Sequence, residues 1–130
     1  MVAGVMARWI FRVQAKDGRG PFRPGLSVQW SDAEGDNRLA PFYEEFGEAV
    51  ITRAHELVET KGGACGCAVA TRDMISKWFT ATERRKLKKL GYRVVTMSAD
   101  EILAESENQI VFWRKRPLRL DCLIIPWGDI

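Results

Sequence analysis

The chain has 130 residues and a formal net charge of +3, with 46% hydrophobic and 28% charged residues. That is the length of one domain, residues 1–130, and the composition of a globular chain, which excludes disorder as the default state. No apolar run approaches the ~20 residues that span a bilayer, and the opening MVAGVMARWIF lacks the basic-then-apolar pattern of a signal peptide, so neither anchor nor leader is expected.

From Arg8 to Ala15 the residues alternate. The period of two predicts a strand with Trp9, Phe11, Val13 and Ala15 turned to the core and Arg12 turned out. GRGPFRPG, residues 18–25, combines glycine and proline and predicts a stiff, shaped loop. Ser27 to Trp30 is expected to pair briefly as a strand, and SDAEGDNRLAP to form a surface loop. A helix should begin near Pro41, with Glu44 and Glu45 near its start and Phe42, Phe46, Ala49, Val50, Ala54, Leu57 and Val58 on one stripe. Lys61-Gly62-Gly63 ends it.

ACGCAV fits a short buried strand or coil. Thr71 is placed to cap a second helix with Met74, Ile75, Trp78 and Phe79 on its apolar face. Thr82 is placed to cap a third, through Leu87 and Leu90 to Gly91. Tyr92 to Met97 is rich in strand formers, and Glu101 to Ala104 fits strand or helical turn. Gln109 to Arg114 is apolar on both faces, the mark of a central strand. Leu118 to Ile125 reads as the last strand, stopped by Pro126. The order of elements predicts an α+β fold: a mostly antiparallel sheet of about five strands, with two to three helices inserted after the first.

Cys65, Cys67 and Cys122 are odd in number, so a disulfide framework is not expected, and a reducing cytoplasm is the expected setting. With His55 they could supply four zinc ligands, but one residue separates the first pair where structural zinc sites use two to four. Buried thiols and no metal are expected, with His55 exposed on its helix. Two basic runs stand out: ERRKLKK, with Arg84, Arg85, Lys86, Lys88 and Lys89, and RKRPLR, residues 114–119. They read as solvated faces or as contacts for an acidic partner or nucleic acid. Gly18, Gly20 and Gly25, with Arg19 and Arg23, could expose backbone N–H groups to an anion, although no nucleotide motif is matched. Glu105 and Glu107 share a face if ESENQ is extended, and sit on a hairpin turn if it is not.

WIFRVQAKDGRGPFRPG, GCAVATRDMISKWF and AESENQIVFWRKRPL together resemble short phage and prophage proteins of unassigned function. The likeness covers most of the chain. It implies a mobile-element accessory role, and such proteins include anti-CRISPR inhibitors. Phe11-Arg12 and Glu105-Ser106-Glu107 are also similar to the first and last elements of Arg-Ser-Glu-type ADP-ribosyltransferases. That likeness implies NAD as cofactor, with Arg12 holding it, Glu107 supporting the oxocarbenium-like transition state and Glu105 positioning the acceptor; the middle Ser-Thr-Ser strand is not matched to a segment.

The leading expectation is an interaction protein without a cofactor. It binds and inhibits a host macromolecule, a protein or ribonucleoprotein such as a CRISPR-Cas defence complex. Arg12, Arg19, Arg23 and the 84–89 strip are its expected contacts. An NAD-dependent ADP-ribosyltransferase and a nucleic-acid-binding protein are the alternatives.

Overall fold

A computed structural model describes residues 8–22, 27–30 and 45–130. Six strands are present among them: β1 Arg8–Gln14, β2 Ala64–Ala68, β3 Arg93–Ala99, β4 Glu101–Glu105, β5 Ile110–Arg114 and β6 Leu123–Ile125. The helices are α1 Ser27–Trp30, α2 Glu48–Lys61, α3 Asp73–Trp78 and α4 Ala81–Lys89, and a 3₁₀ turn over Trp127–Asp129 follows β6.

The α+β class and antiparallel pairing stand as expected, but the strands divide into two sheets. One runs β1-β3-β6 and the other β2-β5-β4, every pair antiparallel. The sheets touch at their margins, where Phe11 and Val69 exchange two backbone hydrogen bonds of 3.0 and 2.8 Å. A single residue, Asp100, carries the chain from β3 in one sheet to β4 in the other.

Strand alternation explains the layers. Ile10, Val95, Met97 and Ala99 of the first sheet pack against Ala68, Ile110 and Phe112 of the second. On the first sheet's other face Val13, Val94 and Ile125 meet Trp30, Ile75, Phe79 and Leu87 from α1, α3 and α4. Helix α2 lies against β2, β4 and β5. Each fully buried apolar side chain in these layers contributes about 1.5–3 kcal/mol. β5 is buried along its whole length and central in its sheet, as its apolar sequence predicts.

Several local expectations need correction. Ser27–Trp30 is a helical turn, not a strand, and it exists to bury Trp30, whose indole N–H donates to the Pro21 carbonyl at 3.0 Å. α3 starts at Asp73, two residues beyond Thr71. The cap of α4 is Thr80, not Thr82: Thr80 and Glu83 bond reciprocally at 3.1 and 3.0 Å, a capping box that needs glutamate three residues after the cap. Gly91, at φ +90, closes α4 as expected, with Tyr92 N–H donating to the Leu87 carbonyl at 2.9 Å. On α2 the buried stripe narrows to Leu57 with Val50 and Ala54 partly buried, while Ala49 and Val58 are exposed. The expected start at Pro41, and Phe42 and Glu44 with it, lies outside the described residues. β6 covers only the last three residues of the predicted Leu118–Ile125 strand.

Trp9 was expected inside and Arg12 outside; Trp9 is 54% exposed and Arg12 only 7%. Both faces of β1 are covered, by helices on the Val13 side and by the second sheet on the Ile10 and Arg12 side. Alternation identifies two faces but cannot rank them when the polar face is satisfied internally.

Space for the Arg12 guanidinium comes from Gly66. A Cβ at that position would collide with Arg12 Nη1 and lie 3.2 Å from the Phe112 ring. Gly66→Ala is therefore expected to cost about 2 kcal/mol by overpacking, read as a lower urea midpoint at an unchanged denaturant slope.

ESENQ forms the β4–β5 turn, and Glu45 holds it. Its carboxylate accepts from Ser106 Oγ and Gln109 Nε2, both at 2.8 Å, and from Asn108 Nδ2 at 3.3 Å. These bonds, the Gln109 one foremost, pull the Glu45 carboxyl below its ordinary range. A depressed carboxyl adds stability above its unfolded pKa and loses it as pH falls through the folded one. The stability gap between wild type and Glu45→Gln should thus be open near neutral pH and close in acid, as measured by urea unfolding at about pH 7 and about pH 3.

Candidate functional site

Three buried polar side chains converge on two loops. β1 delivers Arg12 and Gln14 into the space between the sheets, and β5 delivers Arg114. Arg12 Nη2 donates to the Gly18 carbonyl at 3.1 Å and Nη1 to the Cys67 carbonyl at 3.0 Å. Its Cζ lies 5.9 Å from the Phe112 ring centroid, a favourable cation–π placement. Burial pushes its pKa down to about 10, which still leaves it charged at neutral pH. Gln14 Nε2 donates to the Leu118 carbonyl at 2.9 Å. Arg114 spends its planar fork on three carbonyls, Pro117 at 3.0 Å, Leu120 at 2.7 Å and Asp121 at 2.8 Å.

These bonds brace residues 15–22 and 115–122 as one platform. Gly18, at φ +92, sits against the second loop, where a Cβ would come within 3.0 Å of Leu118 Cβ. Glycine is needed there for both backbone conformation and approach. The platform exposes Lys16, Arg19, Lys115, Arg116 and Arg119. Its exposed carboxylates are already engaged: Asp17 pairs with Arg19 at 3.7 Å and Asp121 with Arg116 at 2.5 Å. Among the described residues no ion pair holds Lys16 or Arg119. Two buried guanidinium ions lie beneath, and among the described residues neither has a carboxylate partner. The platform's exposed side chains thus carry five cations against two carboxylates, a positive balance.

The other expected site residues fall elsewhere. Arg19 is on the platform; Arg23 lies outside the described residues. On α4, Arg85, Lys86, Lys88 and Lys89 are exposed, while Arg84 is turned back to the Phe79 carbonyl at 2.6 Å. In the second basic run Arg114 is 2% exposed and structural, and of its cations only Lys115, Arg116 and Arg119 reach solvent. Glu105 is gripped by both Arg8 Nη atoms at 2.8 and 2.5 Å, a bidentate bond that holds its carboxyl below the usual range. Glu107 stands exposed on the turn beyond the strand. Arg12 is bonded to the Gly18 and Cys67 carbonyls instead, so no contact gathers these three residues into one cleft.

His55 is exposed, and the three cysteines are free thiols. Burial pushes the Cys67 thiol up to about 11 and raises that of Cys65, so neither is a thiolate nucleophile at neutral pH. Among the described residues no three metal-ligating side chains gather, and no helix is long and apolar enough to cross a membrane.

Sequence reasoning missed Gln14 and Arg114. The signal for Arg114 was present: it continues the Ile110, Phe112 face of a strand buried on both sides. Replacing it by Met should orphan its three carbonyls and cost about 2–3 kcal/mol. Amide exchange at residues 118–121 should accelerate in that variant while the α2 amides stay protected.

A comparison with protein-family models matches residues 5–122, nearly the whole chain, to the family described as Bacteriophage T4 Y00F protein. Neither curated proteins nor solved structures give a match. The chain belongs to the Bacteriophage T4 Y00F protein family.

Proposed function

We propose that this phage-family protein works by contact inside the host cell. It binds a host macromolecule through the basic two-loop platform and inhibits it, a bacterial defence complex such as CRISPR-Cas being the target class that the likeness to phage accessory proteins suggests. The observation that carries this reading is the bracing of two exposed cationic loops by buried Arg12, Gln14 and Arg114. Loops fixed in advance lose little entropy on docking, so more of the contact energy becomes affinity. Their positive charge speeds encounter with an acidic face and rejects basic ones.

A second reading, binding of a nucleic-acid backbone, is favoured by the exposed cations Arg85, Lys86, Lys88 and Lys89 along α4. Both readings are tested with purified full-length protein. Pulldown from bacterial lysate should retain a saturable host partner, and the double variant Lys16→Glu, Arg119→Glu should weaken that capture about tenfold or more. Capture unaffected by these reversals would remove the platform from the interaction. Steeply salt-dependent shifts of labelled DNA or RNA, weakened by Lys88→Glu and Lys89→Glu, would instead favour the nucleic-acid reading.

A further inference from the structure

We propose that β6 is a docking edge for an extended, carboxylate-bearing segment of a partner protein, which adds as a fourth strand to the β1-β3-β6 sheet. The proposal deepens the contact reading above and rests on it, because the carboxylates are assigned to the basic platform beside the strand.

β6 is the outer strand of its sheet, and among the described residues nothing pairs with its free side. Leu123 is 64% exposed and Ile124 58%, and alternation puts them on opposite faces. Leu120, in the loop before them, is 46% exposed. Proteins usually blunt an edge with lysine, proline or an inward charge. Leu-Ile-Ile has none of these, and Pro126 stands only after the strand. The approach to the edge is also fixed at a cost. Asp121 adopts φ +51, a left-handed conformation uncommon outside glycine. Arg114 Nη2 holds the Asp121 carbonyl at 2.8 Å, which locks that bend.

The chemistry of the occupant follows. Main-chain hydrogen bonds to the open edge supply affinity and are indifferent to sequence. Specificity comes from apolar side chains that cover Leu123 on one face and Ile124 on the other. Beyond the start of the strand the occupant meets the platform that carries Lys16 and Arg119, cations that no ion pair holds among the described residues and that carboxylates complement.

The test selects binders from a displayed library of random linear peptides on the immobilised full-length protein. Enriched peptides should carry apolar residues followed or preceded by Asp or Glu. When bound they should slow amide exchange in β6. Leu123→Lys with Ile124→Lys should weaken binding about tenfold or more, the scale of a hot-spot loss, while the thermal midpoint stays in place. Lys16→Glu with Arg119→Glu should weaken it too. If only the charge reversals matter, the docking edge is overturned and the contact reading stands. If only the edge variants matter, the carboxylate assignment is overturned, and the contact reading with it. An absence of enriched peptides, protection outside β6, or sedimentation showing that the chain alone pairs through this edge also overturns the proposal.

Discussion

A guanidinium ion between two β-sheets must find carbonyl oxygens or it will not stay there. Arg12 finds two, at Gly18 and Cys67, and several features of the structure follow from that need. The Gly18 loop must fold back toward β1. The edge of β2 must come close enough to offer the Cys67 carbonyl. Position 66 must lack a side chain, because the guanidinium occupies the space that a Cβ would take. The Phe112 ring beneath then serves as both core and cation–π surface. One buried charge thus ties the first strand to the second sheet and to the loop that follows it.

Arg114 repeats the arrangement from the other sheet, with three carbonyls on the opposite loop. Among the described residues neither arginine has a carboxylate partner that would cancel its charge. Arg12 Nε and Gln14 Oε1 are left buried without hydrogen-bond partners, which adds to the cost. Apolar side chains of similar volume would often hold a core at least as well. The polar alternative does what apolar packing cannot: it fixes the backbone of two irregular loops at named carbonyls and sets a positive potential beneath them. Tryptophan plays a related role. Trp30, Trp78, Trp113 and Trp127 each donate an indole N–H to a loop carbonyl, at 2.9 to 3.0 Å. Trp9 is instead left largely exposed at the end of β1.

Much of the fold was legible because it obeys local rules. Gly62 and Gly91 end α2 and α4, β5 is central because it is apolar on both faces, and ESENQ is a hairpin turn with ordinary turn residues. What stayed hidden depends on long-range partners. Arg12 was expected outside because its neighbours alternate. Its satisfaction comes from a carbonyl six residues away and another fifty-five away, which no window of sequence contains. RKRPLR looked uniform, yet its first arginine is core and its later cations are surface, a division set by where β5 ends. The grip of Glu45 on Ser106, Asn108 and Gln109 crosses more than sixty residues. Two sheets were read as one because strand count does not fix which edges pair.

The carboxylates bear on the choice between contact and catalysis. A catalytic carboxylate needs freedom to meet a substrate and a site that tunes it. Glu105 is committed to Arg8, Glu45 to the turn, and Glu83 to the cap of α4. Glu107 stands exposed on the turn. The cations divide the other way. Buried Arg12 and Arg114 hold backbone carbonyls, while exposed cations stand on the two loops they brace and along α4. Three glutamates thus hold turn, cap and strand, while Lys16, Lys115 and Arg119 are displayed on the braced loops, an arrangement that suits recognition of an acidic surface.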